Sequence, residues 1–168
     1  PSNDIRSLAI DSTGVLWIGT WRNGLICFDG NNWNEYNSTN SVLPDDGYIR
    51  EIEVDTRGCI WIRTSHTISS FDGNIWNIYN KENSCLQHNG FNSLAIAPNG
   101  TIWIATDYDL NNFDKNTWTN YNHKNSKLPK YGINDIEIDL NNDIWIGTDD
   151  SGLVYFDGNI WTAFNSEN

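Results

Sequence analysis

The chain has 168 residues, with 10 Lys plus Arg against 22 Asp plus Glu, a formal net charge of -12. That balance repels a phosphate backbone and an anionic bilayer, which excludes nucleic acid and lipid surfaces as expected partners. Nine Trp and seven Tyr without a single Met point to a core of rigid aromatic and β-branched side chains, a composition that favours strands.

In chain order, the first predicted strand lies in "DIRSLAID" and carries Ile5, Leu8 and Ile10; the turn "DSTG" ends it. "VLWIGT" follows, apolar almost throughout, as expected of a strand covered on both faces. A third strand, "GLICFD", closes on the turn signal Asp29-Gly30. The fourth, "NWNEYN", is half polar and suits an outer edge. A joining phrase, "NSVLPDDG", leads to the next copy. The second-strand phrase returns as "GCIWIRT", "GTIWIAT" and "NDIWIGT".

Three ladders share one period. Trp17, Trp61, Trp103 and Trp145 stand 44, 42 and 42 residues apart. Trp33, Trp76, Trp118 and Trp161, like Phe28, Phe71, Phe113 and Phe156, stand 43, 42 and 43 apart. The expected fold is an all-β propeller of four four-stranded antiparallel blades in a single domain, residues 1–168, with repeats at 4–47, 48–90, 91–132 and 133–168. A β-sandwich gives no reason for ladders locked in phase. The second strand is expected between neighbouring blades, with Gly19, Ala105 and Gly147 permitting close approach. Arg63 breaks that series, either as a solvated or salt-bridged side chain or as a cation facing a central channel. Cys27 and Cys59 read as small hydrophobes in strands and Cys85 as a loop thiol; one disulfide is compatible with them but not implied. No apolar run approaches a membrane span, and a start at Pro1 suits a mature form or an excised domain.

The fourth repeat, "IEID…IWIGTDDSGLVYFDGNIWTAFN", and the joining phrases "NSVLPDDG", "NSCLQHNG" and "NSKLPKYG" resemble the two-component regulator propeller repeat. The resemblance covers all four copies. It implies the extracytoplasmic sensor propellers of bacterial hybrid histidine kinases, a periplasmic or extracellular location, and often carbohydrate fragments as ligands. Sensors of that family usually carry many more blades, a further β-domain, a membrane span and a kinase. A more distant resemblance to streptogramin-lyase propellers keeps an enzyme as the minor alternative.

Strand order puts the loop after the second strand and the crossover to the next blade on one face, around the expected channel mouth. The loops "WRNG", "SHT", "DYD" and "DDSG" vary on a near-constant frame. Trp21, the only Trp outside both ladders, is a candidate stacking platform with Arg22 beside it; packing over a blade edge competes with that role. His66, Asp107, Tyr108, Asp109, Asp149 and Asp150 share the ring, and the crossovers add Asp45, Asp46, Tyr48, His88, Asn89 and Tyr131. Spaced carboxylates of a calcium loop are missing, so no metal and no cofactor is expected. A two-His site from His66 and His88 lacks the usual ligand spacing. On the opposite face Asp29, Asp72, Asp114 and Asp157 recur in every copy and read as turn residues. No GxSxG, P-loop, HExxH or dinucleotide motif occurs, so the chain is expected not to be an enzyme. The expected partner is a small polar or carbohydrate ligand at the channel mouth, or alternatively a protein for which the repeat is an interaction scaffold. A four-bladed monomer is expected, sealed by side-chain packing between the first and last blades; the alternatives are half of an eight-bladed dimeric ring, or an open arc.

Overall fold

The computed structural model describes residues 3–43, 48–88 and 90–166. All sixteen predicted strands form. The first blade is β1 (Ile5–Ile10), β2 (Leu16–Thr20), β3 (Leu25–Phe28) and β4 (Trp33–Tyr36). The second is β5 (Ile49–Val54), β6 (Ile60–Thr64), β7 (Ile68–Phe71) and β8 (Trp76–Tyr79). The third is β9 (Phe91–Ile96), β10 (Ile102–Thr106), β11 (Asp109–Phe113) and β12 (Trp118–Asn122). The fourth is β13 (Ile133–Ile138), β14 (Ile144–Thr148), β15 (Leu153–Phe156) and β16 (Trp161–Phe164). Each blade is a meander in sequence order, antiparallel throughout. The chain divides into two compact units, the first ending at Tyr79 and the second starting at Asn80, with two blades in each.

Turn chemistry accounts for the recurring acids. Asp29 Oδ1 accepts from the backbone N–H of Asn31 and Asn32, at 2.8 and 2.7 Å. Asp72, Asp114 and Asp157 repeat that geometry, and their backbone donors hold all four carboxyls below the usual carboxylate range. The abundant Asn has a similar use. Asn37, Asn80 and Asn122 open the crossovers, each backbone N–H donating to the Asn three residues on. The Leu of each joining phrase (Leu43, Leu86, Leu128) is then buried.

Within the first unit Trp17, Leu25 and Cys27 of one blade pack with Ile49 and Ile52 of the next. Gly19 makes this possible: a Cβ there would lie 2.6 Å from Ile49 Cγ2. The second unit repeats the junction with Trp103, Ala105 and Leu110 against Ile133 and Ile136. Ser7 accepts from Ile52 N at 2.9 Å, and Ser93, in the same phase, donates to Asp135 at 2.7 Å. Arg63 is buried and salt-bridged, its Nε donating to Glu51 Oε2 on the paired strand at 2.6 Å. All three cysteines are free thiols.

Candidate functional site

The loops after the second strands hang on one residue. Thr20, Thr64, Thr106 and Thr148 end β2, β6, β10 and β14, and their hydroxyls organise the loops that follow. Thr20 and Thr148 donate to the carbonyls of Gly24 and Gly152, at 2.8 and 2.7 Å. Those loops have four residues, and their glycines sit with φ of 73° and 74° where a Cβ would strike the backbone oxygen of Tyr36 or Phe164. The second blade uses a three-residue loop and the third a two-residue one, and Thr67 and Asp109, the first residue of β11, occupy the glycine's place.

A second repeated contact ties the first loop residue to the second residue of the blade's first strand. In the third and fourth blades it is an amide–carboxylate bond: Asn92 donates to Asp107 at 2.7 Å and Asn134 to Asp149 at 2.6 Å. In the second blade Arg50 donates to Ser65 at 3.0 Å. In the first, Arg6 lies over the Trp21 ring, 4.3 Å from its centroid. Trp21 also meets Tyr48 edge-on at 4.1 Å, and Arg50 covers Tyr48 at 4.6 Å. Trp21, Ser65, Asp107 and Asp149 are therefore one latch in three chemistries, and the half-buried Trp21 already has a cation on its ring. Arg22 and His66 are exposed, His66 N donating to Thr64 Oγ1 at 3.2 Å. Asp45, Asp46 and Asn89 lie outside the described residues.

The third blade departs from the others. His88 and Tyr108 pair with ring centroids 4.6 Å apart and form one wall of a cavity of about 340 Å³. Gln87, Asp109, Asn120, Asn122, His123, Lys124 and Lys130 complete its lining. Tyr108 is exposed, whereas Asp109 is only 4% exposed. Behind the cavity runs a chain of amides. Asn122 donates to Asn120 Oδ1 (2.9 Å), Asn120 to Asn111 Oδ1 (2.8 Å), and Asn111 to Asp109 Oδ1 (2.9 Å). Thr106 Oγ1 completes the set at 2.6 Å on the same carboxylate oxygen, and Cys85 Sγ donates to Asn111 Oδ1 at 3.2 Å. Burial, with the charge of Asp109 nearby, pushes the Cys85 thiol up to about 11.

Of the residues singled out in the sequence, the structure brings His88, Tyr108 and Asp109 together here. Tyr131 and Asp150 line an adjacent cavity of about 280 Å³ with Pro129, Lys130 and Ser151. Sequence reasoning missed Gln87, Asn120, Asn122, His123, Lys124 and Lys130. One signal was available: Asn111 occupies the phase of Ile26 and Val154, a polar residue where the first and fourth blades are apolar and the second has the small Ser69. Among the described residues no group of three or more His, Cys, Asp or Glu is placed to hold a metal ion.

Residues 1–22 and 85–108 match the profile of the two-component regulator propeller. No curated protein sequence matches the chain. The extracellular domain assigned to the hybrid two component system BT3049 of B. thetaiotaomicron superposes with a TM-score of 0.74 at 22% identity, over 94% of this chain and 22% of that one. Virginiamycin B lyase from Staphylococcus aureus gives 0.76 at 17% identity, over 96% of this chain and 55% of that one. YCF48 bound to D1 peptide gives 0.64 at 14% identity, over 94% and 51%. The chain thus spans about a fifth of the sensor domain and about half of the lyase, and at these identities the likeness speaks to fold. With the profile match at residues 1–22 and 85–108 and sixteen strands in four meanders, this chain resembles the two-component regulator propeller and folds as β-propeller blades.

Proposed function

We propose that the chain is a non-enzymatic ligand-binding part of a sensor-type propeller, located outside the cytoplasm, and that it holds a small polar ligand of saccharide size in the third-blade cavity. One observation carries the reading: an exposed aromatic pair, His88 and Tyr108, lines a cavity together with Asn120 and Asn122, whose amides are fixed by hydrogen bonds. Aromatic faces take up the apolar faces of a sugar ring, and amides serve hydroxyls as donor and acceptor. The family match and the sensor neighbour support the sensing role and the location.

Calorimetric titration with a panel of neutral oligosaccharides tests it, with Tyr108→Ala as the control. Binding by the parent and at least tenfold weaker binding by the variant is the expected result. Silence across the panel, or identical binding by the variant, refutes the saccharide reading. The lyase neighbours motivate an enzymatic alternative. Against it, His88 spends its ring on Tyr108, and among the described residues no carboxylate bonds to it. Incubation with virginiamycin B is expected to leave that compound intact by mass spectrometry. The YCF48 neighbour motivates a peptide-binding alternative, and a peptide captured in the same cavity would favour it.

A further inference from the structure

Each unit contains one copy of the same blade junction, and the two copies differ around a common aromatic trio. In the first unit Trp17, Tyr36 and Phe71 pack with ring centroids 5.2–6.3 Å apart; Trp103, Tyr121 and Phe156 repeat the trio in the second at 5.4–6.4 Å. The second trio lines a cavity of about 420 Å³ between the third and fourth blades, which shares no lining residue with the His88–Tyr108 cavity. Around it Thr101, Asn112 and Asn141 stand in the phases of Val15, Cys27 and Arg57, and all three line the cavity. The frame is constant there, while its apolar and basic neighbours have become neutral and polar.

The indole N–H shows the sharpest difference. Trp17 Nε1 donates to Asp11 Oδ2 at 2.9 Å and Trp61 Nε1 to Asp55 Oδ2 at 3.4 Å. The same carboxyls accept the turn N–H groups of Val15 and Cys59. In the third blade Ala97 stands in place of that Asp. Asn99 takes over the turn, its Oδ1 accepting from Thr101 N at 2.9 Å, but no described residue takes over the indole. Trp103 is only 6% exposed and lines the cavity. Among the described residues every sealed side-chain nitrogen or oxygen has a partner, so this N–H is not sealed and can donate to an acceptor in the cavity. In the fourth blade Asp139 keeps the turn bonds, and Trp145, outside this cavity, makes no indole bond either.

Asn142 of the lining has φ of 71° where the other blades have Gly14, Gly58 and Gly100. A Cβ at Gly14 or Gly58 would meet nothing within 4 Å, so that phase asks for glycine through its backbone conformation alone. Asn tolerates the conformation, and Asn142 Oδ1 accepts from Asn99 N at 2.8 Å, which ties one blade's turn to the next. The charged groups of the lining are Asp114 and Asp157, with no Lys, Arg or His among them. Lys115, which follows Asp114, is exposed and outside the lining.

We infer that this cavity is a second ligand site, for a small hydroxylated amine such as an amino sugar. A hydroxyl oxygen accepts from the Trp103 indole, the hydroxyls serve Thr101, Asn112 and Asn141 as donor and acceptor, and the ammonium is drawn to Asp114 and Asp157. A plain amine has no acceptor for the indole, and an anion meets two carboxylates and no cation.

Titrations of the whole isotope-labelled chain, followed by NMR at the indole N–H resonances at about pH 6, where an amine is protonated, test the site. The probes are glucosamine, glucose, glucuronate and cyclohexylamine, and the Trp103 resonance is the one missing from Trp103→Phe. Glucosamine is expected to move it, with glucose and cyclohexylamine at least tenfold weaker and glucuronate without effect. Ala97→Asn, an uncharged acceptor in the place of Asp11 and Asp55, should weaken glucosamine about fivefold, as for loss of one neutral hydrogen bond. Asn141→Arg, an exposed change to the second blade's residue, should weaken it at least tenfold and spare glucose; it carries the test if Ala97→Asn does not fold. Glucose or cyclohexylamine as strong as glucosamine, an unmoved Trp103 resonance, or no effect of Asn141→Arg overturns the proposal. Glucosamine that binds without moving Trp103 and is lost in Tyr108→Ala overturns it too, and assigns the amine to the His88–Tyr108 cavity.

Discussion

The same repeat position should respond with opposite sign in two blades. Gly19 and Gly147 stand in phase on β2 and β14. A Cβ built on Gly19 would fall 2.6 Å from Ile49 Cγ2, 3.1 Å from Ile49 Cβ and 3.2 Å from Ile52 Cδ1. Carbon pairs prefer about 3.5–4.0 Å, so Ile49 must retreat by about 1 Å. It is fully buried and β-branched, with little freedom about χ1, so the strand must move and not the rotamer. Overpacking of this kind costs about 1–3 kcal/mol, partly offset by the 0.4–1 kcal/mol or so that Gly→Ala removes from the unfolded chain's entropy. Ala105, in the same phase and fully buried among Ile133 and Ile136, shows that the junction accepts a methyl when the facing strand stands off, which favours the lower half of that range. At Gly147 the nearest atom to a new Cβ is Asp135 O at 3.9 Å, an ordinary contact. Gly19→Ala should lose about 1–2 kcal/mol and Gly147→Ala should gain a few tenths to about 1. Urea titrations followed by Trp fluorescence and far-UV circular dichroism read both. A Gly19→Ala chain as stable as the parent, or two variants that shift in the same direction, would refute the reasoning.

Other consequences follow from the same contacts. Ile52→Ala, at a position 3% exposed, should cost about 2–5 kcal/mol, whereas Leu8→Ala, in the same phase but 61% exposed, should stay within about 0.5 kcal/mol; equal losses would mean that the Leu8 face is covered. Burial pushes the Asp55 carboxyl up, but Arg57 and the backbone N–H groups of Cys59 and Arg57 outweigh it and hold it below the usual carboxylate range. A depressed folded pKa gives stability that is present above about pH 4 and lost as pH falls through the folded value, so Asp55→Ala should flatten the acid limb of a stability-versus-pH curve. With its thiol raised to about 11, Cys85 should react with iodoacetamide at pH 8 far more slowly in the folded chain than in urea, read by peptide mass.

What the sequence made legible was whatever repeats. The Trp and Phe ladders located three strands of every blade, and the "FDG" acids were readable as turns because their bonds are local. The latch was not readable. Arg6 with Trp21, Asn92 with Asp107 and Asn134 with Asp149 do one job with different chemistry, and they are fifteen residues apart. A side chain that varies on a constant frame looks like a ligand contact until its partner on the adjacent strand is seen. Variation alone is therefore a poor guide to a site in a repeat protein, since the frame itself tolerates several solutions to one contact.

The third blade shows the better criterion, a residue that breaks the phase and cannot be assigned to the frame. A shorter loop removes the need for glycine at the start of β11, which frees that position for Asp109; the second blade fills its counterpart with Thr67, whose hydroxyl bonds to Thr64 at 2.8 Å. Asn111 then replaces the apolar residue of the ladder and is fully buried, a substitution that would orphan its amide without Asp109, Asn120 and Cys85 around it. Each polar residue of the row thus makes the next one tolerable, and the row ends on Asp109 Oδ1, which accepts from both Thr106 and Asn111. A row built only to stabilise the blade would have been cheaper as Ile and Val, which the first and fourth blades use in that phase. The row of three linked Asn side chains stands in the third blade, beside an exposed aromatic pair.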